Sequence, residues 1–421
     1  LQIESVPRDI RHDAIYDFFV YQYVPESKSI FKNIDKLKPG HFLTINKNGI
    51  KVKQYWDVSF KNQSTSNEEE ITEGLLDVIN TCTKQRMISD VPLGAFLSGG
   101  VDSSGIVALM ANNSDKPVVT CSIGFDSKKY DEVQYAQKVA DQYHTAHYEL
   151  TVKEDILAHL DHITSFFDEP FADQSLVPTY FVSQLARQKV TVALAGDGGD
   201  ENFAGYGKYS VDQIENNLRN KIPGFIRRNL FPPLISPLQH SNIQTFNRAG
   251  TLLNAISKSP AEGFYLTNTF MTDTMWNRLA NDNLKREVNG YHPSTQAMEF
   301  YNNVDAEDHL SRVLYTDIKT YLVGDILVKV DRMSMANSLE VRAPILDHRV
   351  VEYAASIPSS LKLHKKEKKY ILKKSFSRLL PPDILYRKKM GFSVRPHYYY
   401  ILYKDYCYYH YYLLCVVHAN Y

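Results

Sequence analysis

The feature that most constrains the fold is an alternation of two hydrophobic patterns between residues 71 and 196. A helical period in residues 71–87 gives way to an apolar run at 93–97, and helix-like and strand-like segments then alternate as far as the apolar run 189–196. Alternation at this spacing is typical of a parallel sheet with helices on both faces. We therefore predict an α/β protein with a doubly wound parallel sheet, which binds its ligands beyond the carboxyl ends of the strands.

The rest of the chain divides into segments of different character. Residues 41–56 alternate between apolar and polar side chains around Asn48-Gly49, which predicts a β-hairpin. Because so few strands cannot form a stable domain alone, we interpret the N-terminal segment as the end of a larger domain. The predicted division is a β-rich N-terminal remnant (1–60), a polar linker (61–70), an α/β domain with a largely helical C-terminal half (71–395) and an atypical tyrosine-rich tail (396–421).

The composition argues against several classes of protein. Lysine plus arginine and aspartate plus glutamate both number 48, so the formal net charge is zero and neither nucleic-acid nor membrane binding is expected. No apolar run approaches the roughly 18 residues of a membrane-spanning helix. The four cysteines have no metal-ligand spacing and indicate reduced thiols in a cytoplasmic protein: Cys82, Cys121, Cys407 and Cys415.

The stretch LSGGVDSS at residues 97–104 leaves an apolar strand and enters an apolar helix. Its glycines lack the Cβ atoms that would keep an anion from the backbone, and the following helix offers unpaired N–H groups and the positive end of its dipole. Three serines add hydroxyl donors, so the turn is suited to a pyrophosphate, although it lacks the lysine of a Walker A loop. Asp102 would order this turn or hold a Mg²⁺ that the phosphates also bind. The alternative is an ordinary strand-to-helix turn in which Asp102 is only a cap.

A second loop, GDGGDE at residues 196–201, follows the last apolar run and combines glycines with acidic residues. Three carboxylates within five residues repel one another unless a cation lies among them, so the loop is suited to Mg²⁺ or an ammonium group. The simpler alternative is a solvated surface turn.

These two loops belong to a longer series of motifs. SGGVDSS resembles the pyrophosphate loop of the N-type ATP pyrophosphatases, which implies an adenine nucleotide alpha hydrolase-like, Rossmann-like fold. Residues 10–395 as a whole resemble the glutamine-dependent asparagine synthetases, and residues 29–43 and 55–57 are similar to the end of that family's glutaminase (Ntn-type) domain. The ordered motifs that carry the resemblance are SIGF (122–125), DEPFADQSLVPTY (168–180), AGDGGDENFAGY (195–206), DRMSMANSLEVRAPILDHR (331–349) and RKKMGF (387–392).

The resemblance implies an ATP-dependent, AMP-forming amide synthesis. In that chemistry the aspartate carboxylate attacks the α-phosphorus of ATP, which yields β-aspartyl-AMP and pyrophosphate, and ammonia then displaces AMP. Both steps develop negative charge, so fixed positive charge and Mg²⁺ are expected to dominate catalysis.

The resemblance also implies a role for each matching residue. Asp102 and Asp200 would hold Mg²⁺. Lys389, Asp197 and Asp200 would be catalytic. Taken alone, an apolar residue at a strand end usually belongs to the core, and a lysine beside other basic residues usually lies on the surface. The nucleotide would be bound by Leu97, Ser98, Gly99, Gly100, Asp102, Ser103, Ser104, Ile123, Gly124, Phe125 and Gly196.

We predict that further residues lie near this site. Asp173 is a candidate for its wall, and Asp197 stands where bacterial asparagine synthetases have Glu. A set of charged residues at near-helical spacing predicts a buried ion-pair network that orders the site: Asp331, Arg332, Glu340 and Arg342.

The source of ammonia follows from the position of the cysteines. The family's glutaminase uses an N-terminal cysteine as nucleophile, whereas these 421 residues begin with Leu1 and their first cysteine is Cys82. We therefore expect no glutaminase activity from this chain, and ammonia that arrives free or from a glutaminase domain or subunit. A homodimer is also expected.

Two other functions remain open from the sequence. Beta-lactam synthetases, lasso-peptide cyclases and sugar-acid amidotransferases use the same adenylation on another carboxylate. The chain could also be a non-catalytic subunit of an amidotransferase complex.

Overall fold

The computed structural model describes residues 3, 5–125, 133–152, 159–239 and 243–387, so the predicted tail 396–421 lies outside the described residues. The strands are β1 (His41–Asn46), β2 (Gly49–Gln54), β3 (Leu93–Phe96), β4 (Val119–Phe125), β5 (Ala146–Val152), β6 (Val192–Leu194), β7 (Glu340–Arg342), β8 (Leu363–His364) and β9 (Glu367–Lys368). The helices before residue 230 are α1 (His12–Tyr21), α2 (Glu68–Arg86), α3 (Val101–Asn112), α4 (Val133–Gln142), α5 (Leu160–Thr164), α6 (Leu176–Arg187), α7 (Gly199–Asn202), α8 (Gly207–Lys221) and α9 (Gly224–Asn229).

The remaining part of the described chain is almost entirely helical, as predicted. A π-helical segment (Ile318–Ile326) and a 3-10 turn (Pro344–Leu346) interrupt the α-helices. The α-helices are α10 (Pro232–Gln239), α11 (Gln244–Ser257), α12 (Pro260–Thr267), α13 (Asp273–Leu279), α14 (Asp282–Glu287), α15 (Ser294–Asn303), α16 (His309–Asp317), α17 (Leu327–Met335), α18 (His348–Ser356), α19 (Ser359–Lys362), α20 (Tyr370–Phe376) and α21 (Pro382–Leu385).

The central sheet confirms the predicted α/β class. Five strands lie in the order β5-β4-β3-β6-β7, and every neighbouring pair is parallel. The chain builds outward from β3 through β4 to β5, then crosses to the other side of β3 to form β6 and β7. The connections that leave β3 and β6 therefore diverge, and this switch point is where open α/β sheets bind ligands.

The fifth strand, β7, corrects one interpretation of the sequence. Its register pairs Val192 with Glu340, so this segment completes the sheet instead of continuing a helix. The predicted buried ion-pair network is wrong: the side chains of Arg332 and its partner Asp168 are 42% and 68% exposed, and Asp331 is also exposed. The reason is position, because Glu340 and Arg342 lie on the edge strand of the sheet, and Asp331 and Arg332 lie on the outward side of α17, away from its buried residues Lys329 and Met333.

Helix α3 is buried on all sides, and this burial fixes the position of its N-terminal turn. Eight of its twelve residues are buried, from Ser103 to Met110. A side chain at Gly105 would overlap the ring of Phe376 on α20, so only glycine allows the two helices to pack this closely. The N-terminus of α3 is therefore a rigid part of the core.

The N-terminal part of the chain forms the predicted hairpin and a capped helix. In the hairpin, Leu43 pairs with Val52 and Ile45 with Ile50, so these four side chains share one face, and all of them are exposed. Helix α2 begins at Glu68 behind a capping box at Asn67. The last three residues of the predicted linker 61–70 are thus the first turn of α2.

Candidate functional site

The first part of the site is the turn between β3 and α3. Gly99 has a φ of +67°, and a Cβ there would lie 2.6 Å from the backbone nitrogen of Ala136, so the turn needs glycine for both reasons. Gly100 is the N-cap residue of α3 and has no side chain to occupy the free N–H groups of the first helical turn. These groups remain available to an anion.

The hydroxyl groups of this turn hold one another in place. The Oγ atoms of Ser98 and Ser103 are 2.9 Å apart, and the Ser98 N–H donates to Ser103 Oγ at 3.2 Å. The Ser104 hydroxyl is buried and has no hydrogen-bond partner in the described part of the chain. Arg387 donates from Nε to the Gly99 carbonyl oxygen at 2.8 Å, which places a fixed cation beside the turn.

The second part of the site is the loop that follows β6 and approaches the turn from the neighbouring strand. A Cβ at Gly196 would lie 2.7 Å from the Ser103 nitrogen, so glycine at this position permits the close approach of the two loops. Gly198 has a φ of +89°, which favours glycine. Asp102 and Asp200 therefore both lie at the edge of the sheet formed by the carboxyl ends of β3 and β6.

A buried lysine joins these two carboxylates. Lys369 precedes α20, and its ammonium group contacts Asp102 Oδ2 and lies 2.9 Å from Asp200 Oδ1. Burial lowers the pKa of Lys369, but the two carboxylates outweigh burial and the net shift is upward, so this side chain is a permanent cation. Its sequence context, KKEKKY at residues 365–370, is typical of a solvated surface run, so the sequence alone does not predict this role.

A second buried lysine lies across the cavity on α17. Lys329 donates to Asp173 Oδ2 and Ser175 Oγ, both at 2.6 Å. Burial raises the pKa of Asp173, but Lys329 and further hydrogen bonds outweigh it and lower the value to about 2. Burial raises the pKa of Asp197, and the same lysine offsets part of the increase. No sequence pattern indicates this position for Lys329. Asp173, predicted for the wall of the site, does not itself line the cavity but contacts Lys329, which does.

Glu201, the last residue of the acidic loop, is a buried group that can bind a proton. It is 1% exposed and accepts a hydrogen bond of 2.6 Å from the Tyr206 hydroxyl. Burial, followed by the nearby Asp200, raises the pKa of Glu201 to about 7. Tyr206 also lines a second cavity of about 370 Å³.

The two loops and both lysines surround one cavity of about 540 Å³. Gly99, Ser104 and Gly124 do not line it: Gly99 faces Ala136, Ser104 is enclosed in α3, and Gly124 is buried in β4. The side chain of Phe125 and the whole of Lys389 lie outside the described residues. The predicted residues that do line the cavity are Leu97, Ser98, Gly100, Asp102, Ser103, Ile123, Gly196, Asp197 and Asp200.

The donors present fit a divalent cation only in part. Among the described residues, no group of three or more His, Cys, Asp or Glu side chains is arranged to hold a metal ion. Asp102 Oδ1, however, is buried and has no hydrogen-bond partner within the described ranges. One free carboxylate oxygen suits Mg²⁺ in nucleotide sites, where phosphates and water supply most ligands. Asp200 is engaged by Lys369 instead.

Comparison with known proteins agrees with this geometry. The family described as asparagine synthase matches residues 74–409, and a glutamine amidotransferase domain matches residues 1–56. The chain is 31% identical over 393 residues to "Asparagine synthetase [glutamine-hydrolyzing] 1" of Bacillus subtilis, covering 92% of this chain and 59% of that protein. It is 30% identical over 403 residues to a putative asparagine synthetase of Mycobacterium bovis, covering 94% of this chain and 59% of that protein.

Two further matches are shorter or weaker. A putative asparagine synthetase of Methanocaldococcus jannaschii is 40% identical over 227 residues, which cover 52% of this chain and 43% of that protein. The structure of an NMN synthetase from Francisella tularensis has 13% identity and a TM-score of 0.25, covering 66% of this chain and 98% of that one. Because the family match covers well over half of the sequence, this chain belongs to the asparagine synthase family.

Proposed function

We propose that this chain carries the synthetase part of an ATP-dependent, AMP-forming amide synthetase that converts aspartate to asparagine. The observation that carries the proposal is the meeting of the two glycine-rich loops at the switch point of the sheet, around one cavity with two buried lysines. The chain spans 59% of the length of its two long matches, so the activity of the complete protein is part of the proposal.

ATP would lie with its phosphates against the turn after β3. We propose that the β and γ phosphates accept hydrogen bonds from the first turn of α3 and from the serine hydroxyls, where backbone N–H groups and the helix dipole favour negative charge. Lys369 and Arg387 supply fixed positive charge beside this turn. The adenosine would lie against Leu97, Ile123 and Gly196, at the carboxyl ends of neighbouring strands, with Phe125 next to them in sequence.

The reaction needs groups that stabilise charge and take up protons. The acceptor carboxylate forms a bond to the α-phosphorus as the bond to pyrophosphate breaks, and we assign Lys389 to the charge that develops there. Asp102, through its free Oδ1, would hold Mg²⁺, and this ion when bound supplies charge neutralisation on the phosphates. Ammonia then forms the C–N bond as AMP leaves, and the proton it loses passes to Asp197, Asp200 or Glu201. Glu201, with a pKa of about 7, suits this task near neutral pH.

The charge around Lys329 supports an acceptor that itself carries an ammonium group. Asp173 and Asp197 both interact with this one lysine, whereas burial raises the pKa of the third carboxyl nearby, Asp325, well above its usual value, so the excess of negative charge in the region is that of Asp197. Aspartate, with its α-ammonium group, would balance that excess. Acceptors without an amino group, such as sugar acids, would leave it unbalanced.

The N-terminal hairpin supports a glutaminase partner. Four aliphatic side chains on one face of the hairpin are exposed, and the match to a glutamine amidotransferase domain covers this same segment. We propose that residues 1–60 complete a glutaminase domain, that residues 61–70 connect it, and that residues 71–395 form the synthetase domain of a cytoplasmic homodimer. Ammonia would come from that domain or from solution.

Pyrophosphate exchange tests the proposed reaction. The chain, incubated with ATP, Mg²⁺, labelled pyrophosphate and aspartate, is expected to incorporate label into ATP and to form asparagine and AMP when ammonium chloride is added. Label exchange with another carboxylate but not with aspartate would move the chain to the beta-lactam or sugar-acid class. No ATP binding in calorimetry would indicate a non-catalytic subunit.

A further inference from the structure

The chain as a whole has a balanced net charge, but one part of its helical half contains no acidic residue. Residues 216–239 and 243–261 contain six lysine and arginine residues and no aspartate or glutamate, although the whole chain has 48 of each sign. We call these residues the basic helical segment. It contains helices α9, α10 and α11, on the side of the molecule built by the C-terminal helices.

The same segment exposes large apolar side chains. Helices α9 and α10 contain no buried residue, although most of their side chains are apolar. Phe225 is 71% exposed, Leu230 is 56% exposed and Leu234 is 52% exposed. On α11 the side chain of Phe246 is 48% exposed. Apolar side chains concentrated in this way on a folded protein mark an interaction surface.

Two of the six basic residues hold the segment together. Arg219 is 2% exposed and donates hydrogen bonds to the carbonyl oxygens of Ala255 and Lys258. Arg227 donates to the carbonyl oxygens of Ile222 and Ile256, which ties α9 to the end of α11. These bonds fix the helices without using the exposed apolar groups. The four remaining cations are exposed on the surface: Lys221, Arg228, Arg248 and Lys258.

The combination of charge and exposure favours one kind of partner. A second copy of the chain would bring like charges together in a two-fold interface. A nucleic acid offers negative charge but no apolar surface along its backbone to cover Phe225 or Leu234. A protein that binds by inserting a helix or a peptide would need a groove, and neither of the two cavities described above is lined by this segment. An anionic bilayer surface provides both phosphate groups and an apolar layer.

We propose that the basic helical segment rests on an anionic phospholipid surface. The side chains of Phe225, Leu230 and Leu234 would enter the boundary between head groups and acyl chains, and the exposed cations would contact lipid phosphates. In the described part of the chain no helix is long and apolar enough to cross a bilayer, so the contact is peripheral. Because its attraction is partly electrostatic, it weakens as salt is added.

Cosedimentation with vesicles tests this proposal. The 421-residue chain is mixed at about 0.1 M salt with phosphatidylcholine vesicles that contain or lack phosphatidylglycerol. We expect binding to the anionic vesicles and at least tenfold weaker binding to the neutral ones. Removing surface cations in the double variant R228Q/R248Q should weaken binding by about fivefold for each cation. The variant L234S should also weaken it while circular dichroism stays unchanged, since this side chain is exposed.

The matched control is K285Q/R378Q, which removes two cations that lie beside carboxylates elsewhere on the surface. This variant should bind like the unmodified chain. Equal binding to both kinds of vesicle, or an unchanged affinity of R228Q/R248Q, would overturn the proposal. No binding to vesicles combined with binding to polyglutamate would overturn it in favour of an acidic protein partner. These results do not depend on catalytic activity.

Discussion

Replacement of Lys369 by methionine tests whether the site is held together by a buried cation. The Lys369 side chain is 7% exposed and the carboxylates of Asp102 and Asp200 that it joins are 18% and 13% exposed, so solvent screens the cluster little. Methionine keeps most of the volume but leaves both carboxylates without their cation. Removal of one partner from such a buried group costs about 3–5 kcal/mol of the free energy of unfolding.

The matched control lies on α20, the helix that Lys369 precedes. Lys374 is 34% exposed and pairs with Glu68 at 2.6 Å and with Glu69 at 3.5 Å. Because solvent screens these pairs, Lys374→Met should cost at most about 1 kcal/mol. The difference between the two variants isolates the effect of burial from the effect of losing a lysine.

Urea unfolding followed by circular dichroism measures both variants against the unmodified chain. Addition of Asp102→Asn to Lys369→Met should recover part of the lost stability, because one of the two unpaired charges is removed. If Lys369→Met costs no more than Lys374→Met, or if the double variant shows no recovery, the buried ion pairs do not hold these two loops together.

The remaining predictions concern the turn, the acidic loop and the catalytic lysine. Gly99→Ala should abolish ATP binding in calorimetry and cost about 1–3 kcal/mol, because φ is +67° and the new Cβ meets Ala136, whereas Gly207→Ala, with nothing within 4 Å, should be nearly neutral. Glu201 is protonated more readily in the folded state, so its contribution to stability is present below pH 4.5 and is lost as the pH rises to about 7. Urea unfolding across this window should show the unmodified chain losing up to roughly 3 kcal/mol relative to Glu201→Gln. Lys389→Ala should retain ATP affinity in calorimetry but lose pyrophosphate exchange, and normal exchange would refute its assignment.

The α/β class and the place of the site were accessible from the sequence because both depend on local patterns. Strand-to-helix alternation, the hairpin at Asn48-Gly49 and the glycine-rich turn after β3 are encoded within a few residues each. The strand order β5-β4-β3-β6-β7, which brings the turn and the loop 196–201 together, is not predicted from the sequence.

What the sequence did not show depends on contacts between distant residues. β7 is three residues long and lies about 150 residues after β6, and its charged ends carry no strand pattern. Lys369 and Lys329 look like surface lysines until folding places them beside carboxylates from other segments. Local composition cannot distinguish such a lysine from a solvated one, because its burial is decided by tertiary packing.

The central claim is that the turn after β3 binds the pyrophosphate part of ATP. The most direct measurement is a crystal structure of the chain with Mg²⁺ and an ATP analogue that cannot be cleaved between its α and β phosphates. We predict β and γ phosphate oxygens within hydrogen-bond distance of the N–H groups of the first turn of α3 and of the Ser98 and Ser103 hydroxyls. Phosphates bound elsewhere in the cavity, with this turn unchanged and in contact only with protein, would contradict the account.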